Sequence, residues 1–542
     1  MQTSQQRHLS GNFHSLYQKA ADPHHAPRFQ ILDSNMSSDI GSKGADLSFK
    51  TCDEQFFTLE SFSPTDHLFV PYESPPQTVA SILSNPSPYS SQGSQSYSSD
   101  PRYSPDNAYG TPVSVYSAAN SSNELKYKLM EMENVLMAPD DTSEADSYYC
   151  NGSASSVPMW SQLKEIVPQL DINQLLLCCA QAVSDGDLST AGALMDVLDQ
   201  RVSISGDPVQ RLGTYMLEGL RARLEMSGSA IYKSLKCTEP TSSEMMSYMH
   251  VLYQMCPYWK FAYVSANTAI WEAVENEGKI HIVDFQIAQG SQWVDLLKAL
   301  AIRQGGPPSV RITGVDDAQS TLARGGGLHI VGEMLSKLAA SCNIPFQFHE
   351  ATMSDVKVLR ENLVIVPGEA LVFNFPYVLH HVPDESVSTE NYRDELLRMV
   401  KSLAPKVLTL VEQESNTNTS AFVHRFKETL DYYTAMFESM DVARSRDDAQ
   451  RLNAEMHCVA KDIISMIACE GAERVERHEL LAKWRARFNL AGFTQCTLSP
   501  AVTFYVKDML KDFHTNFRLE ENKGALYLAW KNRAMVTCSA WR

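Results

Sequence analysis

The sequence predicts an α/β protein. A mostly parallel sheet carries helices on both faces and closes with an antiparallel hairpin; an α-helical subdomain and a disordered N-terminal arm precede it. Three observations predict this. Apolar runs alternate with helical stretches from Lys279 onward. Apolar spacing is helical from about Trp160 to Glu277. Residues 61–120 hold 24 Ser or Pro in 60 positions, too little apolar surface to offset the entropy of ordering the chain.

The arm is assigned to residues 1–155. Ser63, Ser74, Ser87, Ser104 and Thr111 each precede a proline, making them candidate proline-directed phosphorylation sites, although a plain linker has the same composition. One island, residues 124–138 (ELKYKLMEMENVLMA), spaces Leu125, Leu129, Met132 and Leu136 along one helical stripe. A helix that short needs a surface to dock on.

All seven Trp lie at or after Trp160, which places the packed part of the chain in residues 160–542. Its first part, 160–277, is the helical cap. Asp171 and Gln174 form a capping box ahead of Leu175, Leu176 and Leu177. The leucine spacing suits core helices or a short zipper-like dimer contact.

Residues 278–542 alternate strand and helix. Strands are expected at Lys279–Phe285, Val310–Gly314, Phe346–His349, Ala370–Asn374 and Lys406–Gln413, with helices at Trp293–Arg303, Leu328–Ala340 and Asn391–Ser402. Such alternation with buried strands implies a parallel sheet. Ala525–Trp530 and Met535–Trp541, split by a polar turn, read as the hairpin. Together the five βα units and the hairpin resemble the Rossmann-like methyltransferase architecture.

Composition narrows the function. Lys plus Arg number 46 and Asp plus Glu 64, a net charge of −18, which argues against autonomous tight binding to DNA phosphates. The 11 Cys are scattered, without CxxC or zinc-like spacing, as expected of a reducing compartment. The first residues lack a signal-peptide core, and no run of 18 apolar residues suggests a membrane span.

The motifs give no catalytic set. After the first strand, Asp284 is followed by FQIAQGSQW (285–293), where a cofactor-binding turn would be glycine-rich. Only Gly290 is present. Asp316 or Asp317 reads either as a ribose-binding acid or as a helix cap. Asn374-Phe-Pro-Tyr377 loosely resembles an amino-gripping methyltransferase motif. His380 and His381 are adjacent and no third metal ligand is evident in the sequence; Asp384-Glu385 reads as a helix start. The segments Arg474–Glu479 and Lys483–Arg487 read as a DNA or partner surface, or as internal ion pairs. No catalytic, cofactor or metal residue is therefore assigned.

These segments together resemble the plant GRAS family of transcriptional regulators. Ile280-His281-Ile282-Val283-Asp284 resembles its VHIID motif. Phe422, Tyr432-Tyr433 and Lys461-Asp462 resemble its PFYRE block, with Ala421 in place of the proline. Trp484 and Gly492, Leu528 and Trp530, and Ser539-Ala540-Trp541 match its terminal SAW block. Leucine-rich stretches at about 170–270 and 320–365 flank the first motif. EPTSSE (239–244), CPYWKF (256–261) and VEQESNTNT (411–419) resemble the branch of phytochrome A signalling and chitin-inducible gibberellin-responsive proteins.

The resemblance implies a transcriptional co-regulator in plant light, hormone or elicitor signalling, located in the nucleus with the cytoplasm as a second compartment. Its implied partners are DNA-binding transcription factors and other members of the family, joined as homo- or heterodimers through the helical cap, with DNA reached indirectly. An S-adenosylmethionine-dependent methyltransferase and a direct sequence-specific DNA binder are the alternatives.

Overall fold

The computed structural model describes residues 164–225, 240–316, 326–352 and 360–542. The arm, its island at 124–138, the five Ser/Thr-Pro sites and Asp317 lie outside the described residues.

Among the described residues, five α-helices come first: α1 (Ile172–Ser184), α2 (Leu188–Asp199), α3 (Pro208–Leu224), α4 (Ser242–Met255) and α5 (Tyr258–Val274). Their starts follow from local chemistry. Asp171, Asp207 and Thr241 each accept from the amide three residues on, and Gln174, Gln210 and Glu244 return the bond, making three capping boxes. Leu175, Leu176, Leu194, Leu198, Leu212 and Leu220 are fully buried, so the leucine stripes form core.

The sheet then begins. Strands β1 (Lys279–Asp284), β2 (Ser309–Asp316), β3 (Phe346–Thr352), β4 (Ala370–Pro376) and β5 (Val407–Gln413) are parallel. Each covers the span expected from sequence to within a few residues. Helices α6 (Ser291–Ala301), α7 (His329–Ser341) and α8 (Tyr392–Ser402) connect them. Asp384 does not begin a helix: α8 is capped by Asn391, and the Asp384 carboxylate is buried among arginines instead.

After β5 come α9 (Phe422–Asp441), α10 (Ala449–Ala454), a π turn (Glu455–Val459), α11 (Ala460–Ala468), α12 (Leu481–Leu490), β6 (Gln495–Cys496) and α13 (Pro500–Met509). Helix α11 packs against α3 so closely that a Cβ on Gly219 would lie 3.0 Å from the Ile467 side chain. Ion pairs from Arg211 to Asp441 and Glu455, 2.9 and 3.1 Å, tie the first helices to α9 and the π turn.

Strands β7 (Phe517–Asn522), β8 (Ala525–Trp530) and β9 (Arg533–Trp541) finish the chain as an antiparallel meander. The hairpin read from sequence is β8–β9; β7 and β6 are additions to it. The order is β3-β2-β1-β4-β5-β9-β8-β7, with β6 beside β9. Alternate residues of β1 face opposite layers: Ile280 and Ile282 join the apolar cluster under the first helices, Val283 the one under α8 and α12. No helix among the described residues is long and apolar enough to cross a membrane.

Candidate functional site

In an open α/β sheet, ligands bind outside the carboxyl ends of the strands, where the strand order reverses. Here that point lies between β1 and β4, whose ends place Asp284 opposite Asn374. Side chains fill it. Trp293 Nε1 donates to Asp284 Oδ2 at 2.8 Å, while Gln286 N and Asn374 Nδ2 donate to Oδ1 at 3.2 Å each. Burial pushes the Asp284 carboxyl up to about 6, against the pull of those three donors.

The network extends sideways. Asn374 Nδ2 also donates to Gln292 Oε1 at 3.0 Å, and Thr409 Oγ1 donates to Asn374 Oδ1 at 2.8 Å. Gln292 Nε2 donates to Asn267 Oδ1 at 3.2 Å, and Asn267 Nδ2 returns a bond to the Gln292 carbonyl at 2.7 Å. Asp284, Trp293, Asn374, Gln292, Thr409 and Asn267 are all buried. The group closes on itself and joins β1, β4, β5, α5 and α6.

The turn after Asp284 is packed, not open. Ile287 covers Gly314 at the end of β2, where an added Cβ would meet it at 3.1 Å. Gly290 has φ +77, and a Cβ there would lie 2.7 Å from Val331 Cγ1. This glycine serves close contact with α7 rather than approach to a phosphate. Tyr377, in the Asn-Phe-Pro-Tyr segment, adopts φ +54 and donates its hydroxyl to the Tyr258 carbonyl at 2.8 Å.

The remaining motif residues are dispersed through the core. His281 is buried, with Nε2 2.8 Å from Thr313 Oγ1; burial, then Arg311, pushes it down to about 3, so the imidazole is neutral. Phe422 begins α9 under the Arg223 guanidinium, 3.8 Å from its ring centre, and Ala421 sits at the N-cap. Tyr432 donates to the Met535 carbonyl at 3.0 Å, and its ring meets Tyr433 edge-on at 5.3 Å. Lys461 and Asp462 lie half-buried on α11.

The terminal block welds the last helices to the sheet. Trp484 is fully buried with Arg393 over its ring. Gly492 follows α12 at φ +90, a left-handed stop that favours glycine. Leu528 is buried in β8, and Trp530 Nε1 donates to Glu438 Oε2 at 3.0 Å. In β9, Ser539 and Ala540 stand opposite Leu410 and Thr409, while Trp541 stacks on Phe488 at 4.6 Å.

The charged segment turns inward. Arg487 reaches Asp384, Glu385, Asp394 and Glu479 at 2.7–3.1 Å. Arg393 reaches Asp384 and Glu479 at 3.5 and 3.2 Å. Burial opposes ionisation of Asp384, but Arg393 and hydrogen bonds from Ser386 and Asn418 hold its carboxyl down at about 2. Arg474 donates to the Thr417 and Asn418 carbonyls, and Arg477 to that of Gly471. These guanidiniums are spent on internal acceptors and are not presented to a phosphate backbone.

The adjacent histidines have company that sequence spacing hid. Glu476, about a hundred positions away, lies 3.2 Å from His380 Nε2 and 3.1 Å from His381 Nε2. The expectation of no third candidate ligand is thereby corrected: the fold delivers one from the segment before α12. Glu412, at the end of β5, holds His380 Nδ1 at 2.5 Å.

Residues 172–542 match the GRAS domain family. The chain is 56% identical over 543 residues to scarecrow-like protein 13 of Arabidopsis thaliana, covering 100% of this chain and 99% of that protein. It is 54% identical over 424 residues to scarecrow-like transcription factor PAT1 of Arabidopsis thaliana, covering 78% and 86%. It is 50% identical over 457 residues to chitin-inducible gibberellin-responsive protein 2 of Oryza sativa subsp. japonica, covering 84% and 82%. Among solved structures, the crystal structure of SCL7 in Oryza sativa is 33% identical with a TM-score of 0.62, covering 69% of this chain and 100% of that one.

Proposed function

The chain belongs to the GRAS domain family, and from that premise we propose that it is a nuclear transcriptional co-regulator that acts through protein contacts rather than by catalysis. One observation carries the reading: the crevice where a Rossmann-like sheet would hold a cofactor is filled by Trp293, Gln292 and Ile287, and the Asp284 carboxylate already accepts three protein donors. A methyl donor there would have to displace a buried tryptophan. The names of the relatives, a scarecrow-like transcription factor and a chitin-inducible gibberellin-responsive protein, support a role in plant signalling. The partners we infer are DNA-binding transcription factors and further GRAS chains, met through the first helices. The arm with its Ser/Thr-Pro sites is the segment we propose as tunable.

The test is a fusion of residues 150–542 to a heterologous DNA-binding domain, read by a reporter, with recovery of partners from plant tissue. Altered reporter output and a co-purifying transcription factor are expected; neither appearing would defeat the proposal. Calorimetry with S-adenosylmethionine addresses the methyltransferase reading, for which micromolar binding abolished by Asp284→Ala would be decisive. Direct DNA binding would show a steep loss of affinity with salt; the buried Arg474, Arg477 and Arg487 argue against it.

A further inference from the structure

Three histidines and a glutamate meet at the carboxyl ends of β4 and β5. His380 and His381 end a short 3-10 turn after β4, Leu379–His381. Glu476 and His478 come from the segment before α12. His380, His381 and Glu476 each offer a ligand atom, and the three atoms lie within 4.8 Å of one another. The nearest pairs are much tighter. Glu476 oxygens stand 3.2, 3.1 and 3.3 Å from Nε2 of His380, His381 and His478. Two ligands on one tetrahedral zinc, each bound at about 2.0–2.1 Å, are separated by roughly 3.3 Å.

A second observation points into the same space. His478 is 1% exposed, yet its Nε2 makes no hydrogen bond among the described residues, although it lies beside Glu476. Its ring is held from behind: Nδ1 is 3.0 Å from Thr417 Oγ1. His380 is held in the same manner by Glu412 at 2.5 Å on Nδ1. A carboxylate or hydroxyl on the far nitrogen of each imidazole is the arrangement that orients metal-binding histidines. His381, 32% exposed, leaves a path from solvent.

We propose that His380, His381 and Glu476 bind a zinc-like divalent cation, with His478 Nε2 closing the site as fourth ligand after a small ring rotation. Three imidazole nitrogens and one carboxylate oxygen suit zinc better than the harder magnesium or calcium ions. In the proposed site the cation replaces the direct 3.2 Å contact between His380 Nε2 and the Glu476 carboxylate. It would clamp the turn after β4 to the segment before α12, two stretches that no local chain links.

The test uses the full chain, stripped with a chelator and dialysed against zinc chloride. One zinc per chain should survive gel filtration and raise the melting temperature. His381→Ala, at a half-exposed position, should still fold and weaken zinc binding by ~10-fold or more, at least the loss typical of removing a mere supporting contact. His329→Ala, an exposed histidine on α7, should bind as the unaltered chain does. Cobalt(II) in place of zinc should give the intense visible bands of tetrahedral nitrogen and oxygen ligation. Zinc lost on gel filtration, equal binding by His381→Ala, or a thiolate-to-cobalt band marking adventitious cysteine ligation would each overturn the proposal.

Discussion

Trp293 Nε1 donates a 2.8 Å hydrogen bond to Asp284 Oδ2 at the point where the strand order of the sheet reverses. The indole occupies the space of a ligand and satisfies the carboxylate a ligand would seek. Trp293→Phe keeps most of the ring but leaves Asp284 Oδ2 unpaired in the core, which should cost about 1–3 kcal/mol. Trp293→Ala adds a cavity and should cost about 3–5 kcal/mol. Urea unfolding followed by circular dichroism measures both; a Phe variant as stable as the parent would show that this bond contributes nothing.

Asp284 and Asp384 should titrate in opposite senses. Asp284, raised by burial from 3.8 to about 6, binds its proton more tightly folded than unfolded. Its contribution is therefore full below pH ~4 and is lost as pH rises through ~6, a change of about 3 kcal/mol. Asp384 is held at about 2, so its contribution is full above pH ~4 and is lost as pH falls toward ~2. Stability curves of Asp284→Asn should be flatter than the parent's between pH ~4 and ~6, and those of Asp384→Asn flatter below ~4. Parallel curves would refute the assignment.

Arg487 is buried among four carboxylates, whereas Arg446 pairs with Asp441 while 52% exposed. Arg487→Met should cost about 3–5 kcal/mol, because it strands buried charges. Arg446→Met should cost less than about 1 kcal/mol. Lysine at 487 should rescue only part of the loss, since a point charge cannot fork to several carboxylates. Equal losses at the two positions, read by chemical denaturation, would contradict this.

Two glycines should respond unequally to alanine. Gly492 is left-handed at φ +90 with its nearest neighbour, Lys401, 3.8 Å from the added Cβ, so the change should cost about 1–2 kcal/mol. Gly290 carries a similar φ of +77 and also a 2.7 Å clash with Val331, adding about 1–3 kcal/mol. Thermal melts should rank Gly290→Ala well below Gly492→Ala; the reverse order would mean that the loop can move away from α7.

Period and punctuation made most of the sheet legible. β1, β4 and β5 are mostly apolar runs, buried almost end to end, because both faces of a parallel sheet are covered. β7 escaped because an edge strand reads as polar: Arg518, Glu520 and Glu521 lie on the border of the sheet, where charge discourages further pairing. Asp384-Glu385 resembled a helix start because acidic residues favour that position. Nothing local reveals that Arg487 lies about a hundred positions downstream waiting to pair with it.

By itself the sequence determined the class of the fold, the position of each parallel strand and the loss of the glycine turn after Asp284, because these depend on neighbours within a few residues. Tertiary structure alone decided what fills the crevice and which polar groups meet. Asp284 and Asn374 are 90 positions apart, and His381 and Glu476 are 95 apart. Their contact depends on strand order and helix packing, which set distances in space that no sequence spacing encodes.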